Sequence, residues 1–408
     1  MSKQKSNRKT YAITAILIFI VSLITIVMTV LYNAPAKNDS NIEEKKEEVM
    51  NEDEFTEKEA TTSNLLLATI GDLMFHDDQL ISAYDEEKDR YDFKPMFSDV
   101  KPILSDADVT LANFETTLGG EAIGFKGYPQ FNSPDEVVDA IKDAGVDIVT
   151  TANNHILDTK KEGLFRTLEV LEEKGVKSVG TYINSDSSRI LIHEEKDIKI
   201  AILAYTSVMN SSGREYPEDE LHTMVNFLTE ENINRDIKEA KEKKADLIIA
   251  LVHWGVEYER EPSEEQIKYA NLLAEKGVDL ILGSHPHVIQ PTDTIKTNEK
   301  DVFVIYSMGN FISNQRVETL GKDFAHTEDG IILLFDIEKD LTTKEAKVKA
   351  VDYIPTWVYK EENPETKKPE YRVLPIEPFL TSDEIKDSFK KRMENSYEAT
   401  MSQIKTDE

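Results

Sequence analysis

The sequence predicts an α/β fold in which helices cover a sheet. Short apolar runs alternate with amphipathic stretches that have helical spacing, and several of these stretches end in glycine followed by valine. Polar residues follow the apolar runs at nearly every strand end. Because ligands of such folds bind beyond the carboxyl ends of the strands, these polar residues are the first candidates for a functional site.

The N-terminal region contains an apolar run from Tyr11 to Tyr32 that is long enough to cross a bilayer of about 30 Å. Basic residues precede this run and an acidic segment follows it. The positive-inside rule therefore predicts a cytoplasmic tail at 1–10, a transmembrane anchor at 11–32 and an extracellular C-terminal domain. We expect a single-pass protein of the cell membrane.

A cleaved signal peptide is the alternative, with Ala34-Pro35-Ala36 as its cleavage site. A signal peptide usually has an apolar core of about 7–15 residues, so the longer run here favours the anchor. Beyond it we expect an acidic flexible tether at 33–63 and the main domain at 64–360. The remainder, 361–408, is predicted as a C-terminal extension ending in a polar helix that leaves the domain.

Composition excludes several classes of function. The 408-residue chain has a formal net charge of −30, which argues against nucleic-acid binding through a basic face. It has no cysteine, so thiolate metal sites and cysteine nucleophiles are excluded. Any metal ion must therefore be bound through nitrogen and oxygen atoms.

The first predicted strand, 64–70, leads into Gly71-Asp72, and His76 lies four residues beyond Asp72. Carboxylate and imidazole at this spacing bind one metal ion if the turn curls back. The alternative is that Asp72 only caps the following helix. The two interpretations are equally open.

The next predicted strand, 108–112, leads into Asn113-Phe114-Glu115. In an extended segment Asn113 and Glu115 lie on the same face. Glu115 could then bridge two cations, or it could simply pair with Lys126.

The chain then repeats one order of helix, turn and strand. The repeated units are helix 135–144 with strand 146–150, helix 161–174 with strand 176–179, helix 232–244 with strand 247–252, and helix 263–276 with strand 278–282. Later segments, 331–335 and 348–354, are predicted as adjacent antiparallel strands that complete the sheet.

Asn153-Asn154-His155 follows the strand at 146–150. The amide oxygen of an asparagine can bind a metal ion while the neighbouring histidine acts as an acid. An Asx turn into the helix that begins near Thr159 is the alternative.

Histidines end two later strands. His253 is either a ligand or a buried core histidine. In His285-Pro286-His287 the proline predicts an extended backbone, with both imidazoles on one side and about 6–7 Å apart. This spacing fits two metal ions about 3.5–4 Å apart. Asn310, after another strand, is a candidate contact to substrate or to a ligand residue.

The phrases GDLMFH, ANFE, TANNHILD, VHWGVEYE, GSHPHVIQ and YSMGNF, spread over residues 64–315, resemble the capsule poly-γ-glutamate synthesis protein family (CapA-type). The resemblance implies a part in making, exporting or anchoring an anionic γ-linked glutamate polymer at the cell surface. It also implies partners: the membrane, the polymer and membrane-embedded components of a polymer synthase.

That family is similar to the calcineurin-like metallophosphoesterases, which implies a βα sandwich with two divalent metal ions (Mn, Zn or Fe) at the strand ends. The resemblance implies two ligand sets that share Glu115, namely Asp72, His76, Glu115 and His287 for one ion, and Glu115, Asn154, His253 and His285 for the other. His155 would assist the leaving group, and Asn113, Asn153 and Asn310 would contact substrate or the ligands.

This sequence departs from the phosphoesterase pattern at three places. The first motif is Asp-x-x-x-His instead of Asp-x-His, Glu115 replaces an aspartate, and Ser284 replaces a glycine. Enzymatic activity is therefore open. The alternatives are a non-catalytic accessory module that binds polymer or synthase, and a generic exported metallophosphoesterase.

Overall fold

The computed structural model describes residues 61–404, in which helices flank two β-sheets. The strands are β1 (Thr62–Leu73), β2 (Tyr84–Asp85), β3 (Arg90–Tyr91), β4 (Val109–Phe114), β5 (Ile148–Thr150), β6 (Lys177–Val179), β7 (Ile190–Glu195), β8 (Ile198–Thr206), β9 (Leu247–His253), β10 (Leu280–Ser284), β11 (Thr292–Lys296), β12 (Asp301–Ile305), β13 (Asn310–Ile312), β14 (Asp329–Asp340), β15 (Ala346–Glu362) and β16 (Pro369–Pro375). The helices are α1 (Asp77–Ala83), α2 (Lys101–Leu104), α3 (Glu136–Ala144), α4 (Lys160–Glu173), α5 (Glu218–Met224), α6 (Glu230–Glu242), α7 (Glu264–Lys276), α8 (Val317–Leu320), α9 (Ile376–Leu380) and α10 (Asp387–Gln403).

The larger sheet has eight strands in the order β16-β15-β14-β1-β4-β5-β6, and β13 pairs with β1. The smaller sheet has six strands in the order β11-β12-β10-β9-β8-β7. Each sheet contains parallel neighbours, β1-β4-β5-β6 in one and β8-β9-β10-β12 in the other. The carboxyl ends of parallel strands lie at one edge of a sheet, and ligands of α/β folds collect there.

Apolar side chains from both sheets form one core between them. Leu67 on β1 and Leu111 on β4 pack in the same buried cluster as Ile202 on β8 and Leu251 on β9. Helices α3 and α4 pack on the outer face of the larger sheet, and α6 and α7 pack on that of the smaller sheet. The central strands are buried on both faces, which explains their uninterrupted apolar runs.

Local signals set the ends of the covering helices. Ser263 caps the start of α7, where its side chain accepts a hydrogen bond from the Gln266 amide, and Gly277 ends α7 at φ 107°. Gly145 ends α3 in the same left-handed conformation, at φ 110°. These caps stop each helix just before the strand that leads to a candidate site residue.

The predicted mixed α/β class is confirmed, and the strands and helices of the predicted repeats are present with small shifts at their ends. The predicted antiparallel pair is also confirmed, since Ile332 on β14 lies opposite Ile354 on β15. The expected anchor at 11–32 and most of the expected tether at 33–63 lie outside the described residues. Every helix within 61–404 is too short or too polar to cross a bilayer.

The predicted boundary between residues 360 and 361 falls inside β15, and β16 pairs with the end of that strand. The C-terminal helix α10 packs on the same sheet through Met393 and Phe389, beside Trp357. It does not leave the domain as expected, because its apolar face is covered by β15.

Candidate metal centre

Strand register brings the polar residues of the larger sheet together. Asp72 on β1 is paired with Asn113 on β4 on one side and with Asn310 on β13 on the other. In the smaller sheet, Ser284 on β10 lies beside His253 on β9. These strand ends of the two sheets meet in one buried cluster.

Two groups of metal-binding side chains lie in this cluster, and Glu115 belongs to both. In one group Glu115 lies with His285 and His287, and in the other it lies with Asp72 and His253. Within each group the ligand atoms lie within 4.8 Å of one another. The resemblance implied a different grouping of the histidines but the same shared carboxylate.

The two carboxylates are buried without a lysine or arginine partner among the described residues. Asp72 and Glu115 are both 0% exposed, and among residues 61–404 only histidines form ion pairs with them. Burial, and then the neighbouring Asp72, raise the pKa of Glu115. A buried carboxylate is costly unless positive charge or hydrogen bonds compensate it.

One oxygen of Glu115 is buried among imidazoles without a hydrogen-bond partner in the described part of the chain. This oxygen, Oε1, lies 3.7 Å from Nε2 of His253 and 3.7 Å from Nε2 of His287, too far for hydrogen bonds. The arrangement is compatible with a divalent cation, which uses nitrogen and oxygen donors of this kind.

The orientation of His287 follows from its neighbours. Its Nδ1 lies 3.1 Å from Oδ2 of Asp72 and 3.2 Å from Oδ1 of Asn310. Both are acceptors, so Nδ1 carries the proton and donates it. With the proton placed on Nδ1, the ring presents Nε2 to Glu115.

His253 contacts residues of both sheets. Its Nε2 lies 2.8 Å from Oδ1 of Asn154, and its Nδ1 lies 3.2 Å from Oγ of Ser284. Asn113 donates through Nδ2 to Asp72 at 2.7 Å and to Glu115 at 3.1 Å. Burial, and then His285 and His287, lower the pKa of His253, so this ring is neutral at physiological pH.

The backbone of the His285-Pro286-His287 segment is not extended, so that expectation was wrong. His285 has φ 94° and His287 has φ 59°, both in the left-handed region. Their ring centroids are 5.8 Å apart. Strain of this kind concentrates at functional sites, and here it turns both imidazoles towards Glu115.

His285 itself is held mainly by packing. Burial, and then the neighbouring His287, lower its pKa to about 3, and its ring centroid lies 4.6 Å from that of His253. Its Nδ1 has no hydrogen-bond partner within residues 61–404. A neutral buried imidazole with an unpaired nitrogen is a potential metal ligand.

His155 lies beside the cluster and is fixed by Asp158. Its Nδ1 lies 2.6 Å from Oδ2 of Asp158, and its ring packs edge-on against Phe131 at 4.8 Å. The Asp158 carboxylate accepts a hydrogen bond from Nδ1–H of the imidazole, which leaves Nε2 for proton exchange.

His76, which was predicted as a ligand, and Asn153 lie outside both ligand groups and contact other residues. Nδ1 of His76 accepts a hydrogen bond from the Asn314 amide at 3.2 Å, and burial lowers its pKa to about 3. Asn153 donates to the Phe114 carbonyl at 2.8 Å and accepts from the His155 amide at 3.1 Å, so it shapes the turn.

Sequence reasoning missed several residues that position the cluster. Asn210 contacts both Asn154 and His155, at 3.2 and 3.3 Å, from the loop after β8. Gln315 accepts from Asn310 at 3.0 Å. No local pattern marks either residue, because each acts through a partner far away in the chain.

Fold and site together define an α/β sandwich protein with a candidate cation-binding cluster at its strand ends. The chain belongs to the family described as "Bacterial capsule synthesis protein PGA_cap", whose sequence profile matches residues 66–315. The resemblance noted from the motifs is thereby confirmed.

Among curated proteins, the chain is 30% identical to the "Capsule biosynthesis protein CapA" of Bacillus anthracis over 188 residues, which are 45% of this chain and 44% of that protein. It is 29% identical to the "PGA biosynthesis protein CapA" of Bacillus subtilis (strain 168) over 209 residues, 51% of each chain. The match thus spans about half the length of these relatives.

Solved structures with a similar arrangement include the calcineurin-like phosphoesterase YfkN from Bacillus subtilis. It is 16% identical with a TM-score of 0.40, and the match covers 84% of this chain and 98% of that chain. A 5'-nucleotidase precursor from Thermus thermophilus is 15% identical with a TM-score of 0.44, and the match covers 83% and 59% of the two chains.

Proposed function

We propose that this protein acts outside the cell, anchored by residues 11–32, in the synthesis, export or anchoring of a γ-linked glutamate polymer. In this proposal its domain binds two divalent cations and performs metal-dependent hydrolysis. Family membership supports the capsule role, together with the names of the Bacillus relatives. The buried, unpaired oxygen of Glu115 among imidazoles supports the cation site.

The donor set fits this function. Asp72, Glu115 and three histidines offer only nitrogen and oxygen atoms, which suit manganese, zinc or iron. Bound cations would polarise a phosphoryl or acyl oxygen and lower the pKa of a bound water to near 7. They would also offset the negative field of the chain, whose formal net charge of −30 repels an anionic polymer.

The chain's own residues have separate tasks in this proposal. Asp72 holds the Nδ1 proton of His287 and so keeps Nε2 free for a cation. Asp158 does the same for His155, whose Nε2 exchanges a proton with the leaving group. Trp254, the residue after His253, is fully buried, and its indole donates to the Tyr306 carbonyl at 2.9 Å, which holds the end of β9 in place.

The proposal is tested by comparing the full-length wild type with His285→Ala. We expect the wild type to bind manganese, zinc or iron and to cleave bis-p-nitrophenyl phosphate, and the variant to lose most bound metal and the capsule in cells. His222→Ala, which changes a histidine with a 42% exposed side chain, is the matched control and should behave as wild type.

Elemental analysis and capsule staining separate the alternatives. A folded wild type that binds no metal contradicts the cation site. A His285→Ala protein that loses metal but still supports capsule formation favours the non-catalytic accessory role. Phosphodiester cleavage in a strain that makes no glutamate polymer favours a generic exported phosphoesterase.

A smaller effect is expected at Ser284, whose hydroxyl lies 3.2 Å from Nδ1 of His253. Ser284→Ala removes a group that orients this imidazole, so we expect manganese affinity to fall about 10-fold. Titration calorimetry measures the change. An unchanged affinity would mean that packing alone orients His253.

A further inference from the structure

The loop 255–262, between β9 and α7, lies directly against the histidine segment. The Tyr258 amide donates to the Pro286 carbonyl at 2.8 Å, between the two histidines of that segment. Gln290 donates through Nε2 to the carbonyls of Glu259 at 2.8 Å and Glu261 at 3.1 Å. One main-chain bond therefore ties the loop to the histidine segment, and the Gln290 side chain holds the rest of the loop beside it.

Tyr258 is held in a strained and defined position on this loop. Its φ is 69°, a conformation that a bulky side chain rarely adopts. Its ring packs edge-on against Phe324 at 5.0 Å, and lies 6.2 Å from the ring of His287. The fold thus keeps a half-buried aromatic hydroxyl beside the ligand cluster.

The side-chain amides of Asn310 and Gln315 determine whether the Tyr258 hydroxyl accepts or donates its hydrogen bond to Gln315. Nδ2 of Asn310 lies 3.3 and 3.0 Å from the carbonyl oxygens of His287 and Thr327, which can only accept, so the orientation of this amide is determined. The same nitrogen donates to Oε1 of Gln315 at 3.0 Å. Nε2 of Gln315 must then be the donor to the Tyr258 hydroxyl, at 3.3 Å.

A hydroxyl that accepts a hydrogen bond still has its own proton to donate. Burial, and then the neighbouring Glu257 carboxylate, raise the pKa of Tyr258, so the proton is present at neutral pH. The Tyr258 hydroxyl is hydrogen-bonded to the side chain of Glu257, which is solvent-exposed, so an oxyanion would compete for this proton only with an exposed carboxylate.

We propose that Tyr258 is a substrate-contacting residue that donates a hydrogen bond to an anionic oxygen bound at the metal centre. The proposal rests on the proposed function, because the cations would bring that oxygen to the cluster. In the described part of the chain, no lysine or arginine side chain hydrogen-bonds or ion-pairs with Tyr258, Asp72 or Glu115. A neutral phenol at this position can donate a hydrogen bond to a bound oxyanion, and it does not replace that oxyanion as a ligand of the metal ion.

The oxyanion has two chemical sources, a phosphoryl group or a glutamate carboxylate. Both offer an oxygen that accepts a short hydrogen bond from a tyrosine. Binding of inorganic phosphate and of the dipeptide γ-glutamyl-glutamate to the same protein distinguishes the two sources.

The test uses full-length, manganese-loaded protein and titration calorimetry. We expect Tyr258→Phe to weaken binding of the preferred oxyanion about 10-fold to 100-fold, with manganese stoichiometry unchanged. Gln315→Met keeps the side-chain volume but removes the donor that holds the hydroxyl, so we expect a smaller loss in the same direction. Tyr269→Phe, on α7 away from the cluster, is the matched control.

The outcomes separate this proposal from the proposed function. A wild type that binds no manganese contradicts the proposed function. If manganese-loaded wild type binds an oxyanion and Tyr258→Phe binds it equally well, only the role of Tyr258 is overturned. Manganese-loaded wild type that binds neither probe also overturns the inference.

Discussion

Glu115→Gln is expected to remove metal-dependent stabilisation while making the metal-free protein more stable. The metal-free gain arises because glutamine avoids burying a carboxylate that has only histidines 3.7 Å away as basic neighbours, and we expect about 1–2 kcal/mol. The loss arises because an amide replaces the oxygen shared by both ligand groups. With free manganese about 100-fold above Kd, the wild type should gain about 2.7 kcal/mol and the variant nothing.

Denaturant unfolding with and without manganese measures both changes. Since the pKa of Glu115 is raised above 4.5, the folded metal-free wild type binds more protons than the unfolded chain just above that pH. Its unfolding free energy should therefore fall, relative to that of Glu115→Gln, as pH rises from 4.5.

The matched control is Glu194→Gln on the exposed edge strand β7, where the side chain is 61% exposed. It should change neither the metal-free stability nor the response to manganese. If Glu115→Gln is stabilised by manganese as much as the wild type, the shared carboxylate is not a ligand.

The sequence predicted the strand ends well because each candidate residue follows a buried apolar run. Asp72, Glu115 and His253 therefore lie in one cluster, although they are far apart in the chain. The prediction that these residues lie together requires only that parallel strands end at one edge of a sheet. It does not depend on the details of any turn.

What the sequence did not predict depends on the pairing of distant segments. The prediction did not include β8, although its apolar run from Ile198 is visible, and so the strand between β9 and the edge strand β7 was absent. The left-handed conformations of His285 and His287 also carry no local signal, since proline between them favours extended backbone.

The sequence also did not predict the contacts of the C-terminal helix α10. Its polar residues suggest a solvent-exposed helix, but Arg392 on α10 forms ion pairs with Glu318 and Glu328. Glu328 is 2% exposed and accepts hydrogen bonds from the Trp357 indole at 3.1 Å and the Val317 amide at 2.9 Å. It also lies 3.9 Å from the buried guanidinium of Arg316, and it pairs with Arg392 on α10. One carboxylate thus joins the helix to the larger sheet.

Glu328→Ala is therefore expected to destabilise the protein by about 3 kcal/mol and to release α10, without lowering manganese affinity. The change removes the acceptor of the buried Trp357 indole and the carboxylate beside the buried Arg316 guanidinium. Leaving buried polar and charged groups without their partners lowers the free energy of unfolding by more than the hydrogen bonds themselves contribute. Glu318→Ala is the matched control: Glu318 pairs with Arg316 and Arg392 too, but its side chain is 50% exposed, so we expect a loss of at most about 1 kcal/mol. Denaturant unfolding measures the stabilities, and hydrogen exchange over 387–403 reports release of the helix. Equal losses for the two variants would mean that burial of Glu328 does not hold α10 in place.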